Sequence, residues 1–552
     1  MRTFIYLIFG CTVLFGLQSK TFAQGKEKGL ESISREVVEA QLGFLASDWT
    51  EGRYTGTKGE YISGDYIASM FKLCGLKPGG DEGYNSSGRG RRMVMGEKTK
   101  SYFQTIPFIE LTQGEENELS FISETKDGPE RTNFKYKTDF SYSISDLSLE
   151  KTTSVVFVGY GLVADSLGYN DFKGIDIKGK VILRLSGYPG RLDSSSSAFK
   201  KFHPRDRAAE NKLRTAKNKW AKDLGALAVV EYTSSNDIAR SWASNVPFRY
   251  NYDYYEGLKN PAERKTLRIL TDSISRNVLT ISLSNRAFNE MLSGTGLDIK
   301  QFEQRVTQTL KPESKFFASK KIYIKSTVNS KIITGRNVIG VLEGEDKDNC
   351  IVVGAHYDHN GMFEGLIFNG ADDNGSGTVG VLTMARAFTA SGVKPKRTIV
   401  FACWTGEEEG LLGSNFFVDH PYKPLKNIVM SLNFDMIARD AEDDSLKNRC
   451  IMTYTRAFSQ LKEITVQNAL DYKVKLNIKY ESPEKPGGGS DHAPFAEKYI
   501  PVIYWEAAMH KDYHTPWDQV EKVNYPKMTR IIQLGYLTIW DLANLENPLK
   551  KF

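Results

Sequence analysis

The stretch Ile351-Val352-Val353-Gly354-Ala355-His356-Tyr357-Asp358-His359 passes in one step from an apolar run to residues that carry ionisable chemistry. A short apolar run bounded in this way reads as a buried strand. Outward from it, residues 338–342, 398–403, 428–434 and 500–505 read as further buried strands, with helices expected over about 377–389 and 411–418. That alternation predicts an α/β sheet. His356 follows Ala355, Glu408 lies just beyond Cys403, and Asp435 follows Phe434. Ligands in open α/β sheets gather at the carboxyl edge of the strands, so these motifs are expected to converge although far apart in sequence.

The chain has 552 residues, more than one hydrophobic core usually supports, so at least two folding units are expected. Hydrophobic and charged fractions of 40% and 25% are those of ordinary globular proteins. The formal charge is +6, or about +4 without Arg2 and Lys20, too weak an imbalance to suggest nucleic-acid binding. Arg2, the apolar residues 4–17 and Thr21-Phe22-Ala23 read as a signal peptide over 1–23, implying an exported, periplasmic or secreted chain without an integral membrane span. Cys11 fits poorly as a lipid-attachment site. Cys74, Cys350, Cys403 and Cys450 match no zinc-finger spacing and are too few for a disulfide framework, and Cys403 reads as a small buried residue.

Helices are expected over about 32–45 and 61–73, with Gly75 as a terminal cap. Residues 45–53 read as a turn-rich surface loop, and the glycine-rich, basic stretch 79–100 as an exposed mobile loop. Between about 153 and 283 short β-rich runs, such as 154–158 and 180–185, alternate with Gly and Asp turns and one basic helical stretch near 206–222. None of the metal-type residues falls there. The expected organisation is a leader over 1–23, a first part of the main domain over 24–150, an insertion over 151–290 and a catalytic domain over 291–552.

Five of only seven histidines lie in three short motifs near the end of the chain, His356/His359, His492 and His510/His514, interleaved with clustered carboxylates. Mixed nitrogen and oxygen donors favour zinc or a similar divalent transition metal over calcium or magnesium. A two-metal site needs roughly five protein ligands if one carboxylate bridges. His356 and His514 would supply the nitrogens, Glu408 and Asp435 the terminal carboxylates, and the Asp372-Asp373 pair the bridge. The nucleophile would be a metal-bound hydroxide. Glu407, beside Glu408, could move its proton, and Asp358 could orient the imidazole of His356. His203 and His420 read as surface residues, Glu409 as a solvent-facing or helix-start carboxylate, and Trp505 and Trp517 as pocket or packing residues.

HYDH (356–359), GADDNGSG (370–377), EEEGLLGS (407–414), NFDM (433–436), SDHAPF (490–495) and YHTPWD (513–518) resemble, in order, the M28 family of co-catalytic zinc peptidases, mostly aminopeptidases. The stretch 41–80 is similar to the opening helices of that family. VVFVGYGL (155–162) and YNDFKGIDIKGKVILRL (169–185) resemble the protease-associated domain that some members carry. The resemblance implies an α/β fold with a central mixed β-sheet flanked by helices and an inserted β-rich domain. It implies two Zn2+ on His356, Asp373, Glu408, Asp435 and His514, with Glu407 as general base and Asp358 as supporting carboxylate. It also picks Asp373 over Asp372. The chain departs from the pattern at Gly487, where some members place an oxyanion-stabilising tyrosine, so His492, His510 or a tyrosine elsewhere would have to serve. His359 and His492 are candidates for substrate contact or for support of the site.

The implied activity is an exported aminopeptidase acting on peptides. A carboxypeptidase or other amidohydrolase of the same fold is the alternative, and would need arginines such as Arg386, Arg397 or Arg439 to hold a substrate carboxylate. A metal-free, receptor-like binding protein is a third reading, disfavoured because the ligand and base positions are all present.

Overall fold

A computed structural model describes residues 23–87, 94–205, 207–232, 265–270, 278–363, 365–547 and 549. The apolar leader, Cys11 and the arginines at 89, 91 and 92 lie outside the described residues. In chain order the principal strands are β1 (Phe103–Thr125), β2 (Gly128–Phe134), β3 (Phe140–Tyr142), β4 (Leu149–Phe157), β5 (Val181–Leu185), β6 (Ala228–Tyr232), β7 (Lys265–Ile269), β8 (Leu279–Leu283), β9 (Lys315–Leu342), β10 (Asp346–His356), β11 (Arg397–Trp404), β12 (Ile428–Phe434), β13 (Arg449–Tyr454), β14 (Asn477–Glu481) and β15 (Val502–Glu506). The principal helices are α1 (Arg35–Leu45), α2 (Lys58–Leu73), α3 (Arg207–Asp223), α4 (Asn285–Leu292), α5 (Ile299–Thr309), α6 (Gly377–Ala390), α7 (Leu412–Asp419), α8 (Gln460–Asp471) and α9 (Tyr525–Asn544).

Strand order runs β14-β13-β15-β12-β10-β11-β9-β4-β5-β6-β8-β3, a mixed sheet. At its centre β10 pairs in parallel with both β11 and β12, and β12 in parallel with β15. Successive side chains of a strand face opposite sides, so a strand buried on both faces reads as a continuous apolar run. Ile351, Val353 and Ala355 accordingly join a core with α1, α2, α6 and α9. Val352, Val400, Ala402 and Trp404 join a second core on the other face with Phe417 of α7 and Phe495. Each fully buried Val, Ile or Phe contributes about 1.5–3 kcal/mol, so the two faces together fix the register of the central strands.

A second lobe has its own core, built from Leu119, Phe121, Phe157, Leu183, Val230, Ile281, Phe302 and Ile324 among others. Its central strands β4, β5, β6 and β8 are parallel neighbours. The lobe is wider than the stretch 151–290. It draws Leu119, Phe121, Phe134 and Phe140 from before that stretch and Phe317, Ile322 and Ile324 from after it. The long strands β1 and β9 pair antiparallel from Phe103↔Val338 to Ser123↔Lys320, and β9 continues through Val338–Leu342 against β11. One strand therefore serves both cores, running on through Asn329 and Gly335 without a turn.

Two loop expectations give way. Residues 79–100 contain an antiparallel pair, Glu82–Ser87 with Val94–Lys100, rather than a mobile loop. Residues 48–53 form a 3-10 turn in which Thr50 and Arg53 are fully buried, while Asp48 and Trp49 are exposed. Glu51, Gly52 and Arg53 all have positive φ (49°, 69° and 54°). Gly52 is required there, since a Cβ would lie 2.3 Å from the carbonyl oxygen of Gly361. The four cysteines after the leader are unpaired, and Cys403 is buried as expected. Among the described residues no helix is long and apolar enough to cross a membrane.

Candidate metal centre

The register of the central strands brings their ends level. His356 at the end of β10 is opposite Trp404 at the end of β11, and Gly354 is opposite Asn433 of β12. His356, Glu407-Glu408 and Asp435 therefore emerge together at one sheet edge. Asp373 reaches them from the loop that opens α6, and His514 from the segment after β15. All five expected ligands and Glu407 lie in one cluster.

Asp373 divides the cluster in two. Its Oδ1 lies 3.5 Å from Nε2 of His356, which is also 3.5 Å from Oδ1 of Asp435. Its Oδ2 lies 2.8 Å from Nε2 of His514, which is 3.3 Å from Oε2 of Glu408. Donors around a tetrahedral zinc with bonds of about 2.0–2.1 Å are about 3.3 Å apart. The two donor sets share one carboxylate, and three of their four separations match this spacing, while that of Asp373 and His514 is shorter. Oδ1 of Asp435 makes no hydrogen bond although it is buried, which suits an atom meant for a cation. The side chains at hand fit a di-metal site.

Neighbouring groups fix the bridge. Oδ2 of Asp518 accepts from the backbone N–H groups of Asp372 (2.9 Å) and Asp373 (3.0 Å). Asn374 ties the same loop to the end of β12, donating to the carbonyl of Phe434 (2.9 Å) and accepting from Gly377 N (2.9 Å). Asp372 turns elsewhere: Oδ1 accepts from Ala438 N at 2.7 Å, and Oδ2 is 3.3 Å from Nε2 of His510. Its carboxylate is thereby committed to the loop after β12, which leaves Asp373 as the carboxylate between the two donor sets.

Asp358 acts on a different partner from the one expected. Its carboxylate oxygens are 3.8 Å or more from Nδ1 of His356, whose nearer contact is the carbonyl oxygen of Asp358 at 3.2 Å. The carboxylate instead accepts from the backbone N–H groups of Glu407 (3.1 Å) and Glu408 (3.3 Å), and from the Thr55 hydroxyl (3.2 Å). It holds the acidic turn in place.

Beneath the site lies Arg53, fully buried. Nε donates to the carbonyl of Tyr357 (2.8 Å), Nη1 to those of Leu45 (2.7 Å) and Asn369 (2.6 Å), and Nη2 to that of Gly370 (2.9 Å). Burial pulls its pKa down to about 10, against Asp373 and Asp358, which favour the charge. Sequence reading missed this residue because an arginine in a Gly-containing turn looks solvated. Asp518 was missed as well, although it closes the YHTPWD motif.

Carboxylates dominate the electrostatics. Burial, then Asp491 and Asp435, raise Glu407 well above the usual range despite nearby His356. Burial also raises Asp435, and lifts Asp491 to about 7 and Asp358 to about 6. Burial opposes charge on His356 and His514, but Glu407 reverses this at the first and Glu408 at the second, so both are raised. Burial alone would raise Glu408 too, and the charge of His514 overrides it, leaving Glu408 well below its usual range.

His492 is buried, stacked on Tyr504 at 4.2 Å, and burial lowers it to about 4, which keeps it neutral. His510 touches Asp372 rather than the five-ligand cluster. His203 and His420 are exposed, Trp505 belongs to the core and Trp517 is partly exposed. Gly487 offers no side chain, but Tyr513 stacks on His514 at 3.7 Å. Burial, then the charges of Asp373, Glu408, Asp435 and Glu407, keep its phenol protonated. It opens the YHTPWD motif, but the sequence alone did not single it out from the chain's other tyrosines as a hydrogen-bond donor.

Residues 337–537 match the model of peptidase family M28. Leucine aminopeptidase 2 of Arthroderma otae is 41% identical over 123 residues, 22% of this chain and 23% of that protein. Leupeptin-inactivating enzyme 1 of Streptomyces exfoliatus is 32% identical over 178 residues, 32% of this chain and 36% of that protein. The chain thus matches about a quarter to a third of the length of these relatives. The aminopeptidase of Aneurinibacillus sp. strain AM-1 has a similar fold, with a TM-score of 0.56 and 18% identity over 96% of this chain and 98% of that one.

Proposed function

We propose that this chain is an exported di-zinc aminopeptidase that removes N-terminal residues from peptides. The observation that carries the reading is the divided contact of Asp373, with one oxygen toward His356 and the other toward His514. Asp435 and His356 would hold one ion, Glu408 and His514 the other, and Asp373 both. When bound, such ions polarise the scissile carbonyl and lower the pKa of a coordinated water. Glu407, 3.8 Å from His356 and raised by burial and neighbouring carboxylates, accepts the proton of the attacking water at Oε2. It returns that proton to the leaving nitrogen as the C–N bond breaks. Tyr513, protonated and stacked on His514, is the hydrogen-bond donor for the developing oxyanion in place of the side chain absent at Gly487.

The choice of an N-terminal over a C-terminal substrate rests on the arginines. Arg397 donates to the carbonyls of Leu542, Ala543 and Leu545, Arg386 to that of Ser32, and Arg439 pairs with Asp512 and Asp518. The three candidates for holding a substrate carboxylate are therefore committed elsewhere, whereas the site has carboxylates to spare for an ammonium group. Residues 1–23 support export, and the second lobe is read as a protease-associated-like module enlarged by β1–β3 and the first half of β9.

The test is hydrolysis of one peptide with a free N-terminus and of the same peptide N-acetylated, before chelation, after it and after zinc is returned. The expected outcome is zinc-dependent release of N-terminal residues from the free peptide alone. Cleavage of both peptides would replace the reading with a carboxypeptidase or other amidohydrolase. Cleavage of neither, by a protein that holds no metal, would end the enzymatic reading.

A further inference from the structure

His359 stands inside the cluster but outside the five-ligand set. Its side chain is fully buried. Nδ1 lies 2.8 Å from Oε1 of Glu408 and 3.8 Å from Oδ2 of Asp373, and its ring meets that of His514 edge-on at 5.8 Å. Neither ring nitrogen makes a well-aligned hydrogen bond. The surroundings are shaped to admit it. A Cβ on Gly370 would lie 2.4 Å from Cδ2 of His359, and His359 N donates to the carbonyl of Arg53 at 3.2 Å. Glu408 divides its oxygens as Asp373 does, Oε2 toward His514 and Oε1 toward His359.

An imidazole lone pair facing carboxylate oxygens at this range is repelled unless a proton or a metal ion lies between. A proton on Nδ1 can answer Glu408 at 2.8 Å but not Asp373 at 3.8 Å. A cation answers Nδ1, Glu408 and Asp373 at once, and the separations of 2.8 and 3.8 Å bracket the spacing of about 3.3 Å expected between donors.

We propose that His359 is an additional nitrogen ligand of the ion held by Asp373, Glu408 and His514. This rests on the two-metal reading and makes the two ions unequal. One has four protein ligands, the number that closes a tetrahedral zinc site. The other, at His356, Asp435 and Asp373, has three and keeps a position open to water and substrate. The caged ion is the one retained longest under chelation, and exchange occurs first at the open one.

The test is competition of the zinc-loaded full-length protein with a chromophoric chelator, reading stoichiometry and affinity for wild type, His359→Ala and His359→Gln. The glutamine amide can still hydrogen-bond to Glu408 but is a poor zinc ligand. The expected result is two ions in wild type, one held more tightly. In both variants the tight ion weakens by about 100-fold or more, beyond the 10–100-fold typical of losing a supporting contact, and the other ion is little changed. Cobalt substitution gives a second readout, since loss of a donor alters the visible absorption of the caged ion. Wild-type affinities in both variants, or full rescue by glutamine, would overturn this inference and leave the two-metal reading standing. A wild-type protein that takes up no metal would overturn both, and coincident melting of the metal-free proteins excludes misfolding as the cause.

Discussion

The two lobes bury charge in opposite ways. In the second lobe each buried ionic group is answered by the protein. Asp171 accepts from the backbone N–H groups of Tyr160 and Leu162 and from the Tyr169 hydroxyl, Arg184 pairs with Glu231 at 2.6 Å, and Lys217 donates to the carbonyls of Leu185 and Gly187. In the catalytic lobe Asp373, Glu407, Glu408, Asp435 and Asp491 crowd together, while Arg53 spends its donors on carbonyls and Arg439 is paired with Asp512 and Asp518. Burying carboxylates without cations is costly. The contrast shows that burial by itself does not mark a site. An unanswered surplus of one sign does, and the two proposed divalent ions would answer it here.

That contrast breaks most sharply at Glu407, the surplus carboxylate that is not needed as a ligand. Glu407→Gln is expected to lower kcat by roughly 10^2–10^4 while leaving the bound-metal count unchanged. A parallel loss of metal would make Glu407 a ligand and move the proton-transfer role elsewhere. Arg53 tests whether the catalytic lobe depends on an internal cation. Arg53→Met removes a donor from four buried carbonyls, of which Leu45 keeps the Thr50 hydroxyl and Gly370 keeps the Gly375 N–H, and is expected to cost about 3–5 kcal/mol of stability, read by denaturant unfolding. A cost below about 1 kcal/mol would mean that water replaces the guanidinium.

The smallest effect concerns the second lobe. Burial lowers Lys217 from 10.5 to about 8 in the folded protein. Between those values the unfolded chain holds a proton that the folded one does not, so the contribution of this group to stability rises with pH across that window and falls as pH drops through about 8. Thermal melts of wild type against Lys217→Met should diverge with rising pH there. Parallel curves would show that the ammonium stays charged between its two carbonyls.

The central sheet was legible because β10, β11 and β12 are buried on both faces and are therefore continuously apolar, and because their ends carry the scarce histidines and clustered acids. The extent of the second lobe was not legible. Along β9, Phe317, Ile322 and Ile324 alternate toward one core and Val338 enters another, while residues 329–332 between them are exposed, and Gly335, a residue that would read as a break, lies inside the continuous strand. At the site, the fold brings together the residues proposed as ligands, and these stood out in the sequence by type and order. Arg53, Asp518 and Tyr513 did not, since their roles come from what the fold sets beside them: four carbonyls, two N–H groups and an imidazole.

The shared strand also sets a schedule for synthesis. β1 ends at Thr125 and its long partner β9 begins at Lys315, about 190 residues later. At roughly 5–20 residues per second, β1 waits about 10–40 s for that partner. Its far end can close early as a hairpin with β2, through Leu119↔Phe134 to Thr125↔Gly128. The nearer half, with Ile106, Phe108 and Leu111, has until then an open hydrogen-bonding edge and apolar side chains still to be covered. The nascent chain is at its most vulnerable to association with its neighbours during that interval, well before any residue of the metal centre has been made.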